Sequence, residues 1–108
     1  MEKIIEIDGK QIPFKATGAF LLRYKAQFGK DAIGDLSKMQ AVEKDISNID
    51  TEVLFNMAWT LAKCAEPTIP PPMEWLDTFE EFPIADIFPQ IQDMIMANFK
   101  TSVKAKKK

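Results

Sequence analysis

The stretch from Thr51 to Ala65 constrains the fold most, because its apolar residues recur at helical spacing around nearly the whole circumference. Val53, Leu54, Met57, Leu61 and Cys64 make one face, with Ala58 and Ala65 beside it, and Phe55, Trp59 and Ala62 make a second strip. A helix apolar over most of its girth must be covered on several sides, so it is predicted at the centre of the domain. Asp50 is placed to cap it, Glu52 lies favourably against its N-terminal dipole, and Pro67 ends it. The 108 residues, 46% of them hydrophobic, are enough for one domain that buries a core without disulfides or metals.

The remaining elements are the covering. Residues 1–15 read as a β-hairpin: Lys3 to Ile7 and Lys10 to Phe14 flank Asp8-Gly9, a pair suited to the positive φ angles of a type I′ turn. Ile5, Ile7, Ile12 and Phe14 fall on one face for burial. Pro13 places its strand at an edge or at its own end. From Thr17, an expected N-cap, Phe20, Leu21, Tyr24 and Phe28 form a helical stripe with Arg23, Lys25 and Gln27 away from it. Gly29 stops this helix at a left-handed residue. Asp31 caps a second helix from Ala32 to about Val42, with Ile33, Leu36 and Met39 inward and Gly34 a poor former in its first turn. Residues 43–49 lack a firm period and are expected to be a mobile loop.

Beyond the central helix, residues 66–72 form a Pro-rich linker in which Pro70-Pro71-Pro72 is read as an extended spacer rather than a polyproline ligand. Met73 to Phe79 make a turn or two of helix with Trp75, Leu76 and Phe79 on one side. The last element runs from Ile84 to Phe99 through Ile84, Ile87, Phe88, Ile91, Met94, Ile95 and Phe99, with a kink or restart at Pro89. The expectation is a mainly α domain over 1–99, of about four to five helices with an N-terminal β-hairpin, followed by a disordered basic tail at 100–108.

The chemistry is narrow. There is no histidine and only one cysteine, Cys64. Imidazole acid-base work, His-activated nucleophiles, internal disulfides and four-Cys zinc sites are thereby excluded. Cys64 closes an apolar face and reads as a buried structural thiol. Glu74, Asp77, Glu80 and Glu81 resemble paired carboxylates only superficially, since neighbours on a helix point apart, and a solvated acidic face is the expectation. No glycine lies in a phosphate-cradling loop. Catalytic, cofactor and metal residues are therefore expected to be none. The net charge of −2 conceals a strong division: residues 1–63 cancel, 64–99 carry −7 with no Lys or Arg, and 100–108 carry +5. An acidic body repels phosphate and argues against nucleic acid as a partner. The alternative, a small cytosolic adaptor or regulatory domain contacting nucleic acid through its helices, has to place Ala32-Ile33-Gly34-Asp35 at the start of a reading helix, where Arg, Asn or Gln is wanted. Residues 1–15 alternate charged and apolar side chains, unlike a signal peptide, and the longest apolar-rich stretch, Val53 to Ala62, is about half a bilayer span. A soluble cytoplasmic protein with no membrane or small-molecule partner is expected; self-association is left open.

Taken together, four strings resemble those of the tail assembly chaperones of long-tailed phages and prophages of Gram-positive bacteria. They are Ile-Glu-Ile-Asp-Gly-Lys at 5–10 followed by Phe14-Lys15-Ala16-Thr17; Phe-Gly-Lys-Asp at 28–31; Ala-Lys-Cys-Ala-Glu-Pro at 62–67; and Glu-Trp-Leu-Asp-Thr-Phe at 74–79 with Phe-Pro-Ile at 82–84. The resemblance spans nearly the whole chain in order. It implies a non-enzymatic protein of the bacterial host cytoplasm, absent from the mature virion, that binds the tape measure protein and recruits tail tube subunits around it. In many of these phages a programmed frameshift yields a longer product, and Lys106-Lys107-Lys108 would suit an A-rich slippery site. The family offers no functional residues to transfer by position. The partner-binding residues are instead expected from the residues themselves: Glu74, Trp75, Asp77, Phe79, Glu80, Glu81 and Phe82, an acidic stretch interleaved with aromatics.

Overall fold

A computed structural model describes residues 2–35 and 51–97. The continuation of the second helix through Leu36 and Met39 to Val42, the 43–49 loop, the Asp50 cap, Phe99 and the 100–108 tail lie outside the described residues. The chain is a mainly helical domain with an N-terminal antiparallel hairpin. Its elements are β1 (Glu2–Ile7), β2 (Lys10–Lys15), α1 (Phe20–Phe28), α2 (Thr51–Ala65), α3 (Pro72–Leu76) and α4 (Ile84–Ala97), with a further helical turn over 32–35.

The hairpin follows directly from Asp8-Gly9. Ile7 pairs with Lys10, leaving a two-residue loop in which Asp8 has φ 55° and Gly9 φ 76°, the two positive angles of a type I′ turn. The register puts Ile5 opposite Ile12 and Phe14 opposite Lys3. Ile5, Ile7 and Phe14 are buried and Ile12 is half-buried, so the four share the core-facing side as expected. Lys3 and Lys10 stand at the two ends of that same side and reach onto later elements. Lys3 Nζ donates to the Gln90 carbonyl and Lys10 Nζ to the Thr78 carbonyl, each at 2.7 Å.

α2 is the central helix. It packs against β2, α1 and α4, while α4 also reaches β1. Every residue from Val53 to Cys64 is buried except the half-buried Phe55 and Lys63. Two polar residues, Asn56 and Thr60, are enclosed with the apolar ones. Thr60 is satisfied by donating back to the Asn56 carbonyl at 2.7 Å. Cys64 is buried, and its Sγ accepts from the Thr17 hydroxyl at 3.5 Å.

Four local expectations are corrected. Thr17 does not cap α1, whose N-cap is Ala19. The Phe20 amide instead donates to the Thr17 carbonyl, closing a turn before the helix, and the Thr17 hydroxyl accepts the Ala19 amide at 3.2 Å. Ile33 faces solvent at 56% exposure, while Ala32 and Asp35 turn inward. The turn is rotated because Asp35 Oδ2 accepts a 2.7 Å hydrogen bond from the buried Tyr24 hydroxyl. The Pro-rich linker ends one residue early: Pro72 is the first residue of α3, where a missing amide is harmless. Nor is it a free spacer, because Trp59 Nε1 donates to the Pro70 carbonyl at 3.0 Å and Lys63 Nζ to the Ile69 carbonyl at 3.2 Å. Finally, of the kink or restart expected at Pro89, the restart does not occur: α4 runs through it as one helix. The ring stands on the exposed side, and the buried Ile87, Phe88, Ile91, Met94 and Ile95 hold the helix together across the lost hydrogen bond.

Gly29 ends α1 as expected. It adopts φ 68°, and its amide closes on the Lys25 carbonyl at 2.8 Å.

Candidate binding surfaces

Two aromatic clusters line the Phe55–Trp59 strip of α2. The first joins α2 to the segment after the prolines. Trp75 packs edge-on to Phe79 and Phe82 at 5.2 and 5.4 Å between ring centroids, Phe79 to Phe82 at 5.3 Å, and Phe82 tilts against Phe55 at 5.8 Å. These are favourable aromatic geometries, and the rings form part of the core. Trp75 is 5% exposed and Phe79 8%, while Phe82 and Phe55 are half-buried. Trp75 and Phe79, named among the expected partner-binding residues, are thus both buried within the core.

The carboxylates named with them lie outside. Glu74, Asp77, Glu80 and Glu81 are all exposed, and so are Glu66, Asp86 and Asp93. Met73, beside Glu74, is 74% exposed. This outer rim is anchored by the hairpin turn. Asp8 Oδ2 accepts the Glu80 amide at 3.1 Å, and Lys10 Nζ sits 5.1 Å from the Phe79 ring centroid while bonding Thr78. The surface is thus a set of outward carboxylates over a buried aromatic layer.

The second cluster runs from α1 to α2. Phe20 meets Tyr24 at 6.3 Å, Tyr24 meets Phe28 at 5.0 Å, and Phe28 meets Trp59 edge-on at 5.7 Å. Burial first, then the Asp35 carboxylate, push the Tyr24 hydroxyl well above its ordinary 10.0, with an Asn56 hydrogen bond opposing. The phenol is held neutral as a donor to Asp35. Outside this cluster is a cleft of about 170 Å³ lined by Arg23, Ala26, Gln27, Trp59 and Lys63. Sequence reasoning placed Arg23 and Gln27 only as residues off the apolar stripe and gave Lys63 no role. The available signal was a pair of four-residue spacings, Arg23 to Gln27 and Trp59 to Lys63, each setting two side chains on one helix face.

Among the described residues no group of three or more His, Cys, Asp or Glu is placed to hold a metal ion, and no helix is long and apolar enough to cross a membrane. No protein-family model, curated protein or solved structure matches the chain.

Proposed function

We propose that this chain is a non-enzymatic tail assembly chaperone of a long-tailed phage or prophage. It binds the tape measure protein in the bacterial host cytoplasm, keeps it soluble, recruits tail tube subunits, and is left out of the mature virion. The observation that carries the reading is how the strings behind the family resemblance meet in space. Asp8 and Lys10, from the first string, hold Thr78, Phe79 and Glu80, at the end of the fourth. Thr17, closing the first, bonds Cys64 of the third. Phe28 of the second packs on Trp59 of the central helix. The first string is therefore in contact with the third and the fourth, and the second packs on the central helix close to the third, which supports reading the four as one pattern.

A client that is long, helical and apolar along one side needs a partner supplying apolar contact and charge. Met73 set among Glu74, Asp77, Glu80 and Glu81 offers both, with Trp75, Phe79 and Phe82 as the floor beneath. Repulsion between such acidic faces keeps loaded complexes apart. The test is co-expression of a tape measure protein from a Gram-positive long-tailed phage with and without this chain. The expected result is a soluble complex that co-purifies through a tag on this chain. A client equally insoluble in both cultures, with no co-purification, contradicts the reading.

A further inference from the structure

Two cations outside the α1–α2 cleft, in α1 and the turn after it, are matched. Lys25 Nζ lies 3.3 Å from Asp31, and Lys30 Nζ lies 2.9 Å from Glu52. Arg23 and Lys63 have no such carboxylate among the described residues. Arg23 Nε is fully enclosed and has no hydrogen-bond partner. An enclosed, unpaired guanidinium N–H is costly, and the rest of this half-buried side chain lines the cleft without a carboxylate partner. Lys63 uses one donor on the Ile69 carbonyl and holds its ammonium 5.8 Å from the Trp59 ring centroid, leaving two of its three donors. The nearest acid in sequence, Glu66, is turned away, its carboxylate accepting from the Thr68 hydroxyl at 3.0 Å.

The cleft's size and walls narrow the ligand. The cleft, of about 170 Å³, opens to solvent and has room for a small polar group. Its lining joins Ala26 and the small exposed edge of Trp59 with the donors of Arg23, Gln27 and Lys63. A phosphate polymer suits it poorly, because the residues from 64 to 99 carry −7 and repel a polyanion.

We infer that this cleft is a carboxylate-binding site, in which Arg23 and Lys63 receive an aspartate or glutamate side chain of a protein partner. The inference is independent of the identity of the client proposed above. It makes the molecule two-signed, acidic around residues 74–81 and acid-accepting between α1 and α2.

The experiment tracks the Arg23 Nε–H and Trp59 Nε1–H resonances of the full chain by nitrogen-edited NMR. The titrants are sodium glutarate, a short blocked peptide bearing one glutamate, inorganic phosphate, and sodium chloride at matched ionic strength. Saturable shifts with glutarate, reached at lower concentration with the peptide, are expected, with the Trp75 indole resonance unmoved. The Arg23→Gln, Lys63→Gln double variant should weaken binding by about tenfold or more while keeping the Trp75 resonance of the folded protein. Shifts of the same two resonances on raising protein concentration alone would also support the site and identify a second copy as the source of the carboxylate. Linear shifts matched by chloride, tighter binding of phosphate than of glutarate, or an unchanged affinity in the double variant would each overturn the inference.

Discussion

The two aromatic clusters share one strip of α2 and are built from similar rings, yet they end differently. Around Trp75, Phe79 and Phe82 the rings close on one another and on Lys10, and the carboxylates are left outside. Around Tyr24, Phe28 and Trp59 a polar pair, Tyr24 with Asp35, is taken inside and a cleft with two cations stays open. The difference lies in the charged residues interleaved with each set of rings and the elements that carry them. Glu74, Asp77, Glu80 and Glu81 sit on a short helix and the turn after it, where every second or third position can point outward. Arg23 and Lys63 sit on two longer packed helices, where one side of each charged residue is enclosed. Aromatic content alone thus does not mark a contact surface; the burial of the neighbouring charges does.

The sharpest way to break this contrast is to remove a ring from the closed cluster. Trp75→Ala or Phe79→Ala is expected to cost about 3–5 kcal/mol, read by chemical denaturation. A loss under about 1 kcal/mol would show that the rings are dispensable to the core and would return them to the role of exposed anchors. Next comes the polar pair of the open cluster. Tyr24→Phe leaves the buried Asp35 carboxylate one donor short and should cost about 1.5–3 kcal/mol.

The same pair sets a pH dependence. Tyr24 is the one tyrosine of the chain. Its hydroxyl is raised in the fold above the ordinary 10.0, so the unfolded chain loses this proton first as pH rises. The stability it contributes is complete below pH 10.0 and is lost progressively as pH climbs from there toward the folded value. Phenolate absorbance should therefore appear only with the loss of circular dichroism. A reversible phenolate signal near pH 10.0 with the fold intact would place Tyr24 in solvent. The smallest effect is expected at Gly29→Ala. No atom lies within 4 Å of an added Cβ, so only the left-handed backbone at φ 68° is penalised, by about 1–2 kcal/mol.

Most of the framework was legible because local chemistry and packing agree. Asp8-Gly9 sets the turn, Gly29 stops α1, and the all-round apolar pattern of α2 demands the centre. The illegible parts depended on distant partners. Ile33 looks inward by spacing, but the Tyr24 hydroxyl draws Asp35 in and rotates the turn. Pro70-Pro71-Pro72 reads as a spacer, but the Trp59 indole and the Lys63 ammonium pin the residues around it. Pro89 reads as a kink or a restart, but five buried apolar residues carry α4 through it as one helix. The candidate surfaces divided in the same way. The carboxylates were visible as an uncompensated run, whereas the Arg23–Lys63 cleft needed two helices brought side by side.

The central claim is that the carboxylate rim, and not the rings under it, faces the client. Its most direct test is co-expression of the tape measure protein with the Glu74→Gln, Asp77→Asn, Glu80→Gln, Glu81→Gln variant, measuring client in the soluble fraction. The closed cluster and the fold should survive, because these side chains are exposed, and surface substitutions of this kind usually change stability by about 0.5 kcal/mol or less each. The account predicts that the folded variant leaves most of the client in the pellet. Undiminished soluble client with the folded variant would contradict it.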